Sequence, residues 1–422
     1  MANGRGGFLG AALSNILEFC GYDVTREYFI NDAGNQIKNL GGSILAELGI
    51  IPSAENHYRG EYIKDLAKTF GRKKDLFNFK IESEVSAFQN SAKPLVDAEL
   101  TALQMKLGRL AAEKLMKEIK IALKKAGISF DVWTSEASDL RAKQLPEKVL
   151  EELRGRGLVV SRDGALWLAK EIAGEKERVL RKSDGEFTYY LVDLSYHIEK
   201  LKQFDKAIDL WGADHHGNIL PMKEGLRLLG ADPERLAIIM FQPVRLVRGS
   251  EEVKMSKRAG EFITLDELIK ETGVDAAKFF FLMITTGNRI DFDLALAKER
   301  SMKNPVYYAQ YAYVRAGAIL KKAGKIKNGK PELLTSPEDR ALIFELSKFP
   351  DMVWQTADDY EVSRLARYSL GLARAFHNFY EKERVVGERA DIAAARVMLV
   401  AATKNVLQNV FALLGIQKPE KM

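Results

Sequence analysis

Two hydrophobic patterns follow one another along the chain and change near residue 300. Before that point, short apolar runs of strand length at residues 22–30, 207–211 and 236–241 alternate with segments of helical spacing. Strands separated by helices favour βαβ units and a parallel sheet, and such sheets bind ligands at the carboxyl ends of their strands. We therefore predict an α/β domain over residues 1–300 with a ligand site at one edge of its sheet.

Helical spacing is clearest in two parts of this first region. Near the start, apolar side chains recur on one helix face up to Gly21, a residue suited to ending a helix; they are Ala12, Leu13, Ile16, Leu17 and Cys20. Residues 40–185 also have apolar positions that favour helix, including Leu100, Leu103, Met105, Leu107, Leu110, Leu115 and Ile119. These patterns predict an N-terminal helix and a mostly helical insertion at 40–185.

From Pro305 onward the pattern is wholly helical. One apolar stripe consists of Val362, Leu365, Leu372, Phe376 and Phe379. A second stripe, ending at Gly415, consists of Ile392, Leu399, Ala402, Val406, Val410 and Leu413. Residues 321–337, rich in Lys, Gly and Pro, are the expected loop. We predict an all-α bundle over residues 301–422.

Composition fits a globular protein of two or three domains. The 46% of hydrophobic residues supplies a packed core, and the single cysteine, Cys20, excludes a disulfide framework. No unbroken apolar run reaches the roughly 20 residues of a membrane span, and Met1 is not followed by a signal-peptide pattern. We therefore expect a cytoplasmic protein that does not enter a membrane.

Charge is unevenly distributed between the two regions. Residues 1–300 hold 45 basic and 45 acidic side chains, whereas residues 301–422 hold 19 basic and 13 acidic, so the net charge of +6 arises in the second region. A basic helical module is typical of RNA binding, because phosphate contacts supply most of the non-specific affinity. A solvated bundle with surplus lysine would give the same excess, so charge alone leaves both interpretations open.

A lysine-rich motif, Val253-Lys254-Met255-Ser256-Lys257-Arg258, lies near the end of the first region. On a loop that closes over ATP, Lys254 and Lys257 could neutralise the β and γ phosphates and stabilise the charge on departing pyrophosphate. A match this short also occurs in solvated lysine-rich turns, so the rest of the sequence decides between the two interpretations.

The start of the chain supports the nucleotide interpretation. Asn3, Gly4 and Gly6 belong to a glycine-rich segment at the start of the first predicted helix, where free backbone N–H groups and the helix dipole favour phosphate. Together with the lysine motif, this segment resembles class I aminoacyl-tRNA synthetases, whose HIGH motif would place its second histidine at Asn3. A flexible chain start is the alternative interpretation of the glycines.

Further blocks, in family order from Asn3 to Met422, resemble arginyl-tRNA synthetases. They are residues 21–36, 58–62, 130–136, 188–193, 211–217, 291–293 and 304–308. The resemblance implies a Rossmann-like class I catalytic domain with a helical insertion, followed by an all-α anticodon-binding bundle. It also implies a monomeric ligase that uses ATP and Mg²⁺ to activate L-arginine and transfers it to arginine tRNA.

The resemblance assigns three residues to L-arginine. The guanidinium group is planar and has five donors, so carboxylates bind it with both energy and shape selectivity. The family's residues for this task match Glu136, Tyr189 and Asp193. Without the resemblance, Glu136 would be interpreted as a surface glutamate and Asp193 as a packing neighbour of Tyr189.

Other residues are expected to serve the nucleotide. The resemblance makes Lys254 and Lys257 the catalytic residues and adds an ATP-binding set: Asn3, Gly4, Gly6, Asp214, His215, Met255 and Ser256. Asp214 and His215 directly follow the predicted strand 207–211, so we expect them to face the site. The rival interpretation, in which His215 and His216 bind a metal, has no nearby cysteine and no helical His spacing to support it. We expect no metal ligands from the protein.

Three residues match the family's tRNA contacts: Tyr311, Tyr380 and Met422. In the family, side chains of the helical domain stack on unpaired anticodon bases, a strong contact that tolerates different bases. Tyrosines at helical spacing are more often part of a core, and that alternative stays open here.

The resemblance would place a first sheet strand, the first HIGH histidine and an N-terminal domain before Met1. We therefore expect a parallel sheet that lacks its first strand and has unpaired edges. We also expect the chain to show little aminoacylation activity. A truncated sequence is the simplest explanation. A non-catalytic tRNA-binding fragment is one alternative to a ligase. Another nucleotidyltransferase is a second, against which Glu136, Tyr189 and Asp193 argue.

Overall fold

The computed structural model describes residues 2–70, 97–169, 177–249, 251–252, 263–324 and 328–422. The motif residues Lys254, Met255, Ser256 and Lys257 lie outside these ranges. The α-helices are α1 (Ala2–Phe19), α2 (Gly34–Glu47), α3 (Glu61–Phe70), α4 (Asp97–Lys125), α5 (Leu145–Gly155), α6 (Tyr189–Gln203), α7 (Ile219–Leu228), α8 (Leu265–Thr272), α9 (Val274–Leu282), α10 (Leu294–Lys298), α11 (Pro305–Ala323), α12 (Pro337–Ser347), α13 (Phe349–Asp359), α14 (Ser363–Lys382) and α15 (Ala390–Leu414).

The strands are β1 (Glu27–Ile30), β2 (Val132–Ser135), β3 (Val159–Arg162), β4 (Ala165–Leu168), β5 (Val179–Arg181), β6 (Ala207–Gly212), β7 (Leu236–Phe241), β8 (Val244–Arg248), β9 (Glu251–Glu252) and β10 (Ile290–Asp293). A π-helix covers Glu136–Arg141, and 3₁₀-helices cover Ala213–Asn218, Pro233–Arg235 and Pro331–Leu333.

Parallel strand pairs form the sheet region of the first domain. β1 pairs with β2, β6 with β7, and β8 with β10, each in parallel, as βαβ units require. The strands predicted at 207–211 and 236–241 are confirmed as β6 and β7, and the run at 22–30 contains β1. Within the described ranges β1 and β6 each pair on one side only, so each has an open edge.

The predicted N-terminal helix is confirmed as α1. One face of α1 is buried, including Phe8, Leu13 and Ile16, and it packs against α9, α15 and β6. The chain then turns at Gly21, whose φ of +92° suits glycine. A side chain at Gly6 would come within 3.0 Å of the Phe241 ring, so this glycine allows the first turns of α1 to pack against the end of β7.

The range 40–185 is largely helical, but it also contains strands. α2 and α4 cross at very short distance, because a Cβ at Gly41 would lie 1.8 Å from the Gln104 carbonyl oxygen and one at Gly108 would lie 2.0 Å from that of Ile37. β2 lies in this range and pairs with β1, whereas β3, β4 and β5 form an antiparallel sheet. The expectation of a mostly helical insertion therefore omits these strands, which are too short to show an alternating pattern.

The helices after residue 304 form a bundle in which one predicted stripe is confirmed and the other is confirmed in part. The stripe from Val362 to Phe379 is completely buried along α14. In α15, Ala402 is exposed, so that part of the prediction is wrong. The predicted Leu399, Val410 and Leu413 are buried, whereas Ile392 and Val406 are half-buried. The buried face also includes Val400, Thr403, Leu407 and Leu414. As predicted, α15 ends at Gly415, which has a φ of +66°.

By length and composition α15 is apolar enough to cross a membrane, with a mean hydropathy of 1.5. It packs against α1, α11 and α14, and 50% of its apolar window is buried. Apolar residues on nearly every face are also typical of a helix at the centre of a folded domain, and its position in the bundle matches that description.

One continuous core connects the bundle to the first region. Phe8 of α1 stacks on Phe281 of α9 at 5.7 Å between ring centroids. Lys278 of α9 donates a hydrogen bond to the Gly415 carbonyl at 2.7 Å, and Asn15 of α1 donates to the Leu413 carbonyl at 3.2 Å. The C-terminal end of α15 is therefore held directly against α1 and α9.

Candidate active site

A buried carboxylate lies directly after β2. Glu136 is the first residue of the π-helix and is only 1% exposed. Asp32, in the loop after β1, accepts hydrogen bonds from the Ala137 N–H at 2.9 Å and from the Ser135 hydroxyl at 2.7 Å. These bonds fix the start of the π-helix against β1. They place Glu136 at the carboxyl ends of two parallel strands, the edge at which such sheets bind ligands.

Arg141, at the other end of the π-helix, pairs with Glu136. Its Nε donates to Oε1 of Glu136 at 2.8 Å, and its Nη2 lies 2.8 Å from the same oxygen. Its Nη1 lies 3.7 Å from a carboxylate oxygen of Glu186, in the segment before α6. Among the described residues, the second oxygen of Glu136, Oε2, accepts no hydrogen bond.

A second carboxylate, Asp193, is part of the same site. It lies one helical turn after Tyr189, which begins α6 and is 54% exposed. Burial raises the pKa of Asp193 to about 6; His197 opposes this rise, and the negative charges of Asp209 and Glu136 add to it. In the described part of the chain, no hydrogen bond or ion pair engages the Asp193 carboxylate. Glu136 and Asp193 are therefore electrostatically coupled, and both retain acceptor oxygens.

A charged network holds α6 in place beneath this site. His197 donates from Nδ1 to the Asp193 carbonyl at 2.6 Å and from Nε2 to the Asp209 carboxylate of β6 at 2.5 Å. Burial alone would lower the pKa of His197, but the charge and hydrogen bond of Asp209 outweigh burial and raise it. Lys200 donates to Asp209 at 3.2 Å and lies 3.6 Å from Glu27 of β1. The network thus ties α6 to both β1 and β6.

The predicted nucleotide residues lie at two strand and helix ends. Asp214 and His215 follow β6 in a 3₁₀-helix, and both side chains are exposed, with 3.8 Å between Oδ2 and Nε2. Gly4 belongs to the first turns of α1 together with Gly6. Asn3 also belongs to α1, but its side chain is outside the described part of the structure. Among the described residues, no group of three or more His, Cys, Asp or Glu is placed to hold a metal ion.

The predicted tRNA residues include an aromatic pair in the helical bundle. Arg315 of α11 joins Tyr311 and Tyr380: its guanidinium lies 5.2 Å and 4.9 Å from the two ring centroids, and it donates hydrogen bonds to both hydroxyls. Tyr380 is 37% exposed, and Tyr311 is half-buried. Met422 is exposed at the last residue of the sequence. Accessible rings beside a guanidinium are suited to stacking on unpaired bases.

Sequence patterns do not single out three polar residues of these sites: Asp32, Arg141 and Arg315. Asp32 follows a predicted strand directly, which is a usable signal for a residue at the carboxyl edge of a sheet. Arg315 follows Tyr311 by one helical turn, a spacing that allows contact. Arg141 has no such signal, because its pairing with Glu136 depends on a π-helix that periodicity does not predict.

Two family models match the chain. The one described as "tRNA synthetases class I (R), catalytic domain" matches residues 3–282, and the one described as "DALR anticodon binding domain" matches residues 309–422. The arginine–tRNA ligase of Carboxydothermus hydrogenoformans is 42% identical over 436 residues, spanning 100% of this chain and 75% of the relative. That of Desulforamulus reducens is 39% identical over 436 residues, spanning 100% of this chain and 74% of the relative.

Solved structures agree with these matches. A structure described as an arginyl-tRNA synthetase from Campylobacter jejuni is 31% identical with a TM-score of 0.83, and covers 99% of this chain and 90% of its own. The Thermus thermophilus arginyl-tRNA synthetase, at 20% identity and a TM-score of 0.78, shares the fold over 100% of this chain and 80% of its own. The predicted class I catalytic fold followed by a helical anticodon-binding bundle is confirmed. The chain therefore belongs to the class I arginyl-tRNA synthetase family.

Proposed function

We infer that this chain is an arginine–tRNA ligase, which uses ATP to activate L-arginine and transfers the amino acid to its tRNA. The observation that carries this function into the structure is the packing of the π-helix that begins at Glu136 against α6, which carries Tyr189 and Asp193. Both carboxylates retain oxygens that accept no hydrogen bond from the described residues. The match of the catalytic family model to residues 3–282 supports a ligase over a non-catalytic tRNA-binding protein.

The two carboxylates and Tyr189 are proposed to bind the guanidinium group of arginine. A guanidinium directs five N–H donors outward in one plane, so two carboxylates can each accept from a different edge of it. A lysine ammonium is a compact point charge that cannot engage both carboxylates in this way, and citrulline has no charge. We therefore expect strong selection for arginine over both analogues, because either one leaves a buried acceptor unpaired.

Activation requires no nucleophile from the protein, since the arginine carboxylate attacks the α phosphate of ATP. The protein's task is to position both ligands and to stabilise the charge on the leaving pyrophosphate. We assign that second task to Lys254 and Lys257. ATP itself is proposed to contact Asn3, Gly4, Gly6, Asp214, His215, Met255 and Ser256. Mg²⁺, which uses few protein ligands in nucleotide sites, would be bound by the phosphates of ATP.

The helical bundle is proposed to bind the anticodon. We assign residues 301–422 to this domain and residues 1–300 to the catalytic domain. Tyr311 and Tyr380, joined by Arg315, offer stacking surface, and Met422 is proposed to add an apolar contact. The basic excess of this region, 19 basic against 13 acidic residues, supports RNA binding through phosphates. We also propose that the protein is a monomer and acts in the cytoplasm.

Arginine-dependent exchange of labelled pyrophosphate into ATP, measured with tRNA present, tests this function. Lys257→Ala should slow the exchange roughly a hundredfold, the scale for losing one contact to transition-state charge. Lys270→Ala is the matched control, because Lys270 is an exposed lysine of α8 paired with Asp266 on the same helix, and it should leave the rate unchanged. Tight binding of arginine tRNA with no exchange at all would favour the non-catalytic function, and equal rates for Lys257→Ala and the parent would remove the phosphate role.

A further inference from the structure

Glu136 is engaged from one side only. Arg141 donates a hydrogen bond from Nε to Oε1 at 2.8 Å, and its Nη2 lies 2.8 Å from the same oxygen. Rotating the Glu136 carboxylate would break this charge-assisted hydrogen bond and move Oε1 away from both nitrogens, so the pair fixes the plane of the carboxylate. Oε2 is left as an acceptor, and Glu136 is otherwise almost completely buried. Arg141 therefore sets the direction in which the remaining oxygen of Glu136 points.

Arg141 also connects the two halves of the carboxylate site. It belongs to the π-helix that follows β2, and its Nη1 lies 3.7 Å from Glu186, in the segment that leads into α6. α6 carries Tyr189 and Asp193. A shift of Arg141 would therefore alter the position of Glu136 relative to Asp193.

Arg141 also compensates part of the negative charge that acts on Asp193. Burial raises the pKa of Asp193, the charges of Asp209 and Glu136 raise it further, and His197 and His215 lower it. Because Arg141 pairs directly with Glu136, removing Arg141 would leave the charge of Glu136 uncompensated, and like charges favour keeping a carboxylate protonated. Loss of Arg141 should therefore raise the pKa of Asp193 further.

We propose that Arg141 is a positioning residue for substrate recognition: it holds Oε1 of Glu136 and aims Oε2 at the guanidinium of L-arginine. This proposal rests on the proposed arginine-binding role of Glu136 and Asp193. Arg141 itself does not touch the reacting atoms.

The test is calorimetric titration of the chain with L-arginine and with L-lysine between pH 5 and pH 8.5. Arg141→Met, which keeps an unbranched apolar stem but removes the guanidinium with its charge and donors, should raise the arginine Kd about tenfold at pH 7. It should also lower the preference for arginine over lysine and move the midpoint of the pH profile upward. Arg141→Lys should keep the parental midpoint because it restores the charge, but not the preference, because one ammonium cannot fix the carboxylate plane.

Arg154→Met is the matched control. Arg154 forms an exposed ion pair with Glu151 on α5, away from the site, and its removal should leave all three readouts unchanged. In the Glu136→Gln background, Arg141→Met should add no further loss, since Arg141 acts through Glu136. Thermal unfolding of each variant separates a folding defect from a change in binding.

Failure of this inference can be told apart from failure of the proposed function. If Glu136→Gln and Asp193→Asn raise the arginine Kd but Arg141→Met leaves it unchanged or lowers it, Arg141 is a bystander or a competitor and the inference is wrong. If neither carboxylate variant changes the arginine Kd, the proposed arginine site itself is wrong. An unshifted pH midpoint in Arg141→Met would show that Arg141 does not compensate the charge of Glu136, and would contradict that part of the inference.

Discussion

Replacing Asp193 with Asn should weaken arginine binding and at the same time stabilise the ligand-free protein. The carboxyl has a pKa of about 6 in the folded chain instead of 3.8, chiefly because it is buried. Such a difference corresponds to roughly 3 kcal/mol of folding free energy lost when the group is ionised. Asn removes the ionisation and with it most of this cost.

The sign of the effect depends on pH. Below about pH 4 the Asp193 carboxyl is protonated in both the folded and the unfolded chain, so it costs nothing. As the pH rises from about 4 to about 6, the unfolded chain ionises more readily, and the parent loses stability relative to Asp193→Asn. Above about pH 6 the difference in stability between the parent and Asp193→Asn has its full value. The melting temperature of Asp193→Asn should therefore exceed that of the parent by a few degrees at pH 7.5 and match it near pH 4.

Arginine binding should change in the opposite direction. Loss of one carboxylate from a buried charge pair costs about 2–4 kcal/mol, or roughly 30-fold to 1000-fold in Kd. The parent Kd should itself rise about tenfold between pH 7.5 and pH 5, where roughly a tenth of Asp193 is ionised. The Kd of the variant should vary much less over this range. Calorimetric titration with L-arginine, and separately with ATP, measures these changes.

Asp351→Asn serves as the control, because Asp351 is an exposed carboxylate of α13. It should alter neither binding nor the pH dependence of unfolding. A melting temperature for Asp193→Asn below that of the parent at pH 7.5 would show that the ionised Asp193 side chain stabilises the fold, contrary to the prediction that it destabilises it. An equal loss of ATP affinity, or an arginine Kd within twofold of the parent, would refute its role in recognising the guanidinium.

Two further substitutions test the helical bundle and the insertion. Tyr380→Ala should reduce discrimination between arginine tRNA and an anticodon-altered tRNA roughly tenfold while changing overall affinity less, because stacking acts on bases and not on phosphates. Filter binding measures both affinities. An equal loss of affinity for the two RNAs would contradict the stacking role. Gly108→Ala should destabilise the protein by about 2 kcal/mol or more in thermal unfolding, because its Cβ would lie 2.0 Å from the Ile37 carbonyl oxygen. Gly155→Ala is the control, because a Cβ at Gly155 would lie in open space at the end of α5, and it should be neutral or stabilising by up to about 1 kcal/mol. Similar effects of Gly108→Ala and Gly155→Ala would show that stability does not depend on the close crossing of α2 and α4.

Several elements could be predicted from the sequence because their information is local. β6 and β7 are apolar runs bounded by polar residues, and α1 and α14 each have one clear apolar stripe. Burial of such a run or stripe is favourable in almost any fold, so the pattern alone identifies the element. The stripe of α15 is only partly predicted, for the converse reason. That helix is apolar on nearly every side, so its own sequence does not define which side faces the bundle.

The family and its candidate residues were also accessible from motifs, because residue type and order carry them without any knowledge of distance. Glu136 and Asp193 are examples, as their proposed roles follow from matched blocks of sequence. Tertiary structure alone decided that the π-helix that begins at Glu136 packs against α6, which carries Asp193, that Arg141 occupies one oxygen of Glu136, and that β2 pairs with β1. Each of these facts depends on contacts between segments distant in sequence or on a π-helix. Local periodicity has no information about either, because it records only which side of a segment is buried and not what covers it.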